Sequence, residues 1–279
     1  MSDKPVLLID NPAPGIRRLT MNRAEKRNAL NNPLRGAILE ALIEADRDSE
    51  VKVSILRGAG PSFCSGYDLS ANNAVEQPYY TSGGPGAWAR HVVEGWMKIW
   101  DLAKPVIAQV HGHCLAGGSE LATCCDLVYV AEDANIGSPP VRLMSPPDNQ
   151  FRPWLMGMRN AMEMMLTGDG ITGIEAAQKG FANRAFPAAS LDEEVLKIAA
   201  RVALIPTELN QINKRSVHRA MEAQGLRAAI RAGTELQALA FTTPASLEYR
   251  AQFKRDGQSV SAVLSQRDKA FGDYREKKE

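Results

Sequence analysis

The spacing of apolar and polar positions changes character along the chain. Residues 5–10 and 16–21 read as two short strands around Asn11, Pro12, Ala13, Pro14 and Gly15, whose Pro and Gly content signals a reversal. A helix is predicted from Pro33 to Asp46, with Asn32 as its cap, Pro33 at its first position and Leu34, Ile38 and Leu42 on one face. Val51–Arg57 alternates with period two and reads as a strand. Residues 62–69 are irregular, and 71–87, rich in Asn, Gly, Pro and Tyr, suit a loop over a site. From Trp88 to Leu102, Val92, Trp96, Ile99 and Trp100 form a helical stripe. A strand over 105–110, a turn, a helix over 117–124 and a strand over 127–131 complete an alternating strand and helix pattern, which argues α/β architecture.

Past residue 150 strand signals nearly vanish. Thr172 with Glu175 and Ser190 with Glu193 are capping-box patterns, opening helices of roughly 8 and 15 residues, with a brief strand within Phe181–Phe186 between them. Helices over 207–224 and 226–250 are divided by Gly225, and the charged tail from Arg267 to Glu279 should fray. The expected organisation is an α/β core over residues 1–195 and a helical region over 196–279.

Composition narrows the function more by exclusion than by direction. With 279 residues, 44% apolar, 23% charged and a net charge of +1, the chain has no broad basic face for nucleic acid. No run of 18 apolar residues exists, and the N-terminus lacks the pattern of a secretory leader, so a cytoplasmic protein without membrane partners is expected. Cys64, Cys114, Cys124 and Cys125 form no C-x-x-C pair and read as buried thiols. His111 and His113 share a face of an extended segment but have no third ligand cluster, so no metal is expected. His91, on the helix beside the loop, reads as solvated, and Ser119 lacks the glycine that a nucleophile elbow wants two residues later.

The segment from Lys104 to Asp126 carries the chemistry. A β-branched strand core runs into a turn, and Gly117 and Gly118 then open a helix bearing Glu120, which sets bare N–H groups beside a carboxylate. A second N–H, from Tyr67 after the permissive Gly66, would complete an oxyanion hole. Equally, these glycines could serve only close packing of helix on strand, and Glu120 could serve only the helix dipole.

Asn22–Leu30, Ser62–Leu69, the run from Lys104 through Gly117–Ala122 to Asp126, and Met162–Asp169 with Ala176–Gly180 resemble the crotonase superfamily of enoyl-CoA hydratases and isomerases, in order and spacing over about residues 5–270. The resemblance implies a crotonase-like spiral of repeated ββα units, with a helical C-terminal region that helps build homotrimers or dimers of trimers. It implies an acyl-CoA thioester as substrate, with no further cofactor, and Tyr67 and Gly117 N–H groups holding the thioester oxygen of an enolate. Lys26, Ala29, Leu30, Ser65, Gly66, Asp68, Leu69, Gly118 and Pro140 would line the substrate and CoA channel.

One departure bears on the reaction. Glu120 matches the first of the two glutamates that hold water in typical hydratases, but the second, 20 positions on, is Pro140, and the glycine-rich stretch after it is replaced by Met144–Phe151. Pro140 offers no acid, no base and no N–H. Asp148 is the nearest later carboxylate, and it could serve either as the second catalytic acid or as the cap of a helix from Phe151. The expected activity is of the enoyl-CoA hydratase/isomerase type. Isomerisation or hydrolysis of another acyl-CoA, or acyl-CoA binding without chemistry, are the alternatives.

Overall fold

In the computed structural model, residues 4–71, 86–252 and 259–272 are described. Strands β1 (Leu7–Ala13) and β2 (Ile16–Met21) form an antiparallel hairpin in which Leu7 pairs with Met21, and Gly15 supplies the positive φ of 77° at the reversal. Helix α1 (Asn32–Arg47) follows, then β3 (Val53–Gly58), parallel to β2. After helix α2 (Ala87–Asp101) come β4 (Val106–Val110), β5 (His113–Leu115) and α3 (Gly117–Thr123). Next are β6 (Leu127–Ala131), β7 (Asn135–Gly137) and α4 (Arg152–Thr167). The order then runs β8 (Ile171–Thr172), α5 (Gly173–Gln178), β9 (Arg184–Phe186) and α6 (Leu191–Ala203). Helices α7 (Thr207–Ala223), α8 (Leu226–Ala240), α9 (Pro244–Gln252) and α10 (Val260–Lys269) complete it.

Two sheets result, ordered β1-β2-β3-β4-β6-β9 and β5-β7-β8. The longer strand of each β4-β5 and β6-β7 unit joins the first sheet and the shorter strand the second, so the chain steps along both sheets as it advances. This is the ββα spiral. All five residues of β4 are buried, as expected of a central parallel strand covered on both faces. Helix α6 packs on β2, β3, β4 and β6, and residue 195 lies within it.

Several local expectations shift. Asn31, not Asn32, caps α1: it is extended and its side chain accepts from Leu34 N–H at 3.1 Å, which moves Pro33 to the second helical position. The turn expected after Val110 contains β5, which pairs in parallel with β7. The Thr172–Glu175 capping box forms, whereas Ser190 has helical backbone angles and its hydroxyl donates to Pro187 O at 3.1 Å instead. The helix expected over 226–250 is two, because Pro244 can open a helix but not sit within one. In the tail, Arg267 is buried in α10 and paired with Asp268 at 2.7 Å, while 273–279 fall outside the described residues. The loop expected over 71–87 falls mostly outside them too.

Candidate active site

Leu30 is fully buried, and its N–H donates to Gly66 O at 2.8 Å while its carbonyl accepts from Asp68 N–H at 2.9 Å. In this parallel pairing the groups of Gly66 and Asp68 face Leu30, so the Tyr67 N–H points to the other side. Gly66 has φ 110°, and a Cβ there would stand 2.9 Å from the Ala116 Cβ and 3.6 Å from the Gly117 nitrogen. The Cys64–Tyr67 loop therefore abuts the turn that opens α3.

That turn is strained. Ala116 has φ 49°, a conformation costly for a residue with a Cβ. It is held by its N–H on Gly137 O at 2.9 Å and by the Ser119 hydroxyl, which donates to Ala116 O at 2.8 Å. Gly117 is the first residue of α3, so its N–H has no acceptor inside the helix. A Cβ on Gly117 would meet the Tyr67 ring at 2.6 Å, and one on Gly118 would meet Cys64 O at 2.5 Å. The close-packing role of these glycines is real, and it brings the Tyr67 and Gly117 segments together.

Glu120 is 3% exposed. Its Oε2 accepts from the Tyr67 hydroxyl at 2.7 Å and its Oε1 from the Asp148 N–H at 3.1 Å. Burial raises its carboxyl above the ordinary range, although the Tyr67 bond, the Arg152 charge, the Asp148 N–H and the Arg35 charge pull the other way. Asp148 is also buried and does not cap α4, whose N-cap position is Phe151 with no side-chain cap. Burial, then the neighbouring Glu120 charge, pushes Asp148 well above the usual carboxylate range, against Arg35 and a hydrogen bond from the Trp88 indole. Asp148 Oδ1 has no hydrogen-bond partner among the described residues. The site thus holds two adjacent buried carboxyls in unlike surroundings, one supplied with donors at both oxygens and one biased to the neutral acid.

Two buried cations balance this charge. Arg35 of α1 lies with its guanidinium carbon 5.2 Å from the Trp88 ring centre and 5.6 Å from that of Trp96. Arg152, the first residue of α4, is fully buried and donates to the Ser119 hydroxyl. Sequence reasoning missed both, as well as the Trp88 and Trp96 contacts. Arg35 did leave a signal: it stands three, four and seven positions before Ile38, Leu39 and Leu42, a charge on an apolar helix face.

The remaining predicted residues divide by exposure. Lys26 is exposed in a short 3-10 turn over Ala24–Lys26, Leu69 is exposed, and Ser65 is half-buried with its N–H on Arg27 O. Ala29 is buried and its carbonyl accepts from Arg23. The Asp68 side chain is committed locally: against the cost of burial, bonds from Ser70 and the Arg23 guanidinium at 2.8 Å hold its carboxyl below the usual range. The Pro140 carbonyl accepts from Leu143, Met144 and Ser145 N–H groups and so shapes the loop leading to Asp148. His91 is 1% exposed rather than solvated, and burial together with Arg35 pushes its imidazole down to about 4. His111 pairs with Gly60 O and His113 with Ser62, and among the described residues no group of three or more His, Cys, Asp or Glu is placed to hold a metal.

The family described as enoyl-CoA hydratase/isomerase matches residues 12–272. The 2,3-dehydroadipyl-CoA hydratase of Escherichia coli is 30% identical over 259 residues, which are 91% of this chain and 93% of that protein. The crystal structure of an enoyl-CoA hydratase/isomerase from Xanthobacter autotrophicus Py2 superposes with a TM-score of 0.86 at 34% identity, covering 96% of this chain and 99% of that one. A monofunctional enoyl-CoA isomerase from M. smegmatis superposes with a TM-score of 0.65 at 25% identity, covering 80% and 97%.

Proposed function

The chain belongs to the enoyl-CoA hydratase/isomerase family and is an acyl-CoA-binding enzyme of that type, and we propose that it works through a thioester enolate held by the Tyr67 and Gly117 N–H groups, with Glu120 and Asp148 as its acid–base pair. The observation that carries this reading is the bond from the Asp148 N–H to the Glu120 carboxylate, which sets two buried acidic residues together beside the junction of the Tyr67 and Gly117 segments.

In hydration, ionised Glu120 takes a proton from water as the oxygen attacks the β-carbon. The double-bond electrons move onto the thioester oxygen, where the two N–H donors offset the developing charge. Protonated Asp148 then gives its proton to the α-carbon, and transfer from Glu120 to Asp148 restores the pair. In this scheme Asp148 takes the part of the missing glutamate at position 140. No cofactor enters beyond the CoA thioester, which is itself the substrate. Lys26, Ser65 and Leu69 are accessible enough to border the CoA channel.

Double-bond isomerisation is the second reading. It is favoured by the donors already seated on both Glu120 oxygens, which leave less capacity for a bound water, and it uses the same pair to remove one proton and return it elsewhere on the chain. Incubation with crotonyl-CoA and longer enoyl-CoAs, followed by enone absorbance and product mass, separates the readings. Gain of one water marks hydration, an unchanged mass with a moved double bond marks isomerisation, and free CoA marks hydrolysis. No product from any chain length sinks the proposal in favour of binding without chemistry.

We further propose a homotrimer or dimer of trimers. Met158, Met162 and Leu166 of α4 are 70%, 50% and 75% exposed, an apolar row that a monomer would leave in water. Light scattering on the purified protein measures this directly. No described helix is long and apolar enough to cross a membrane, and four buried, unpaired thiols suit a reducing compartment such as the cytoplasm.

A further inference from the structure

Tyr67 enters the proposed reaction only through its main chain, yet its side chain is held on several sides. The ring stands edge-on to Trp88, with centroids 5.3 Å apart at 82°, and presses on Gly117, where a Cβ would come within 2.6 Å of it. The indole of Trp96, itself fully buried, donates to the Tyr67 oxygen at 3.2 Å. An indole N–H is a donor only, so the Tyr67 oxygen accepts from Trp96 and turns its own proton to the carboxylate of Glu120, 2.7 Å away. With Glu120 ionised, the direction of the chain Trp96 to Tyr67 to Glu120 is fixed by chemistry. Burial and the neighbouring Glu120 and Asp148 charges push the phenol well above its ordinary range, so it stays a donor.

We propose that the Tyr67 hydroxyl is the positioning group of Glu120: with the Asp148 N–H on the other oxygen, it fixes the plane of the carboxylate and keeps it a proton acceptor. This rests on the reading of Glu120 as the base of the site. Two donors from different elements hold the group without using all its lone pairs, since each carboxylate oxygen has two. One remains on each oxygen for water or substrate. Because the same residue presents the proposed oxyanion donor, a single rigid side chain sets the distance between the base and the thioester oxygen. No proton leaves the phenol in this role.

Tyr67→Phe keeps the ring against Trp88 and Gly117 and keeps the main-chain N–H. The first readout is an infrared pH titration of the free enzyme, with the Glu120 carboxyl band identified by its loss in Glu120→Gln. A hydrogen bond to the charged form favours that form, so its removal should move the Glu120 midpoint to higher pH. With crotonyl-CoA, kcat/KM on the acidic limb should fall by ~10-fold while KM changes by less than about twofold. A purely structural tyrosine would lower Tm but leave the titration and the acidic limb where they were, and that result overturns the role. Should Tyr67→Phe fail to fold, 3-fluorotyrosine at position 67 is nearly isosteric with a more acidic phenol. It should move the midpoint to lower pH, and an unmoved midpoint counts against the proposal equally. A shifted titration in an enzyme that leaves every enoyl-CoA unchanged overturns Glu120 as base while the Tyr67 contact stands; an unshifted one in an active enzyme overturns the Tyr67 role alone.

Discussion

The first turn of α3 and the loop from Ser138 to Phe151 each deliver one carboxyl to the same buried site, and they do so by opposite means. Glu120 rides on a helix whose start is pinned by Ala116 and Ser119, and both its oxygens meet donors. Asp148 sits on an irregular, Pro-bounded loop, with Oδ1 unpartnered among the described residues and the Glu120 charge beside it. Burial raises both carboxyls, Asp148 well above its ordinary range, and the donors on Glu120 pull it back; the proposed scheme uses that difference, with Glu120 as acceptor and Asp148 as neutral donor. In that scheme the division of labour between like groups comes from hydrogen-bond supply rather than from residue type.

The largest test of that division is Glu120→Gln, which keeps shape and loses the base. It should lower kcat by roughly 10²–10⁴ with acyl-CoA binding retained, as read by turnover and calorimetry. Full activity would remove Glu120 from the chemistry. Gly117→Ala comes next: its Cβ would lie 2.6 Å from the Tyr67 ring, so the ring or the turn must move. A loss of ~10²–10³ in kcat is expected if the N–H donor is misplaced. A loss confined to Tm would instead show that the glycine serves packing alone.

Asp148→Asn should lower kcat by about 10², and it has a second signature in stability. The native Asp148 carboxyl is raised above its unfolded value, so the folded state holds a proton that the unfolded chain releases. That contribution is complete below the unfolded value near about pH 4 and is lost as pH rises toward the native one. Wild type should therefore lose Tm relative to Asp148→Asn as pH rises above about 4, by a few degrees for each ~1–2 kcal/mol. Parallel Tm curves would show that Asp148 is ionised in the fold. The smallest effect is expected from Thr172→Ala, which removes the capping box of α5 and should cost about 1 kcal/mol without changing kcat. A change in turnover there would tie β8 and α5 to the acid pair, which the present contacts do not.

Legibility in the sequence followed the range of the interaction. The strands β2, β3, β4 and β6 and the start of α3 were readable from apolar period and glycine placement, because those patterns report burial along one element. The second sheet was not, since its strands span only two or three residues and are defined by partners rather than by period. Glu120 could be picked out beside its glycines. For Asp148 the sequence allows a helix cap or a catalytic acid, and only the loop path excludes the cap. Arg35 was visible as a charge on an apolar face, but nothing local announced Trp88 and Trp96 as its partners.

By itself the sequence determined that a carboxylate would stand one turn into a glycine-opened helix, that the usual second glutamate is a proline, and that the core is an alternating α/β array. Only the tertiary structure decided that the Asp148 N–H meets Glu120, that the Tyr67 hydroxyl donates to the same carboxylate, and that two buried arginines balance the acids. The physical reason is that residues 28 and 53 positions from Glu120 are brought to it by sheet register and loop packing. Whether a buried acid keeps its proton depends on the donors and charges that this packing places around it.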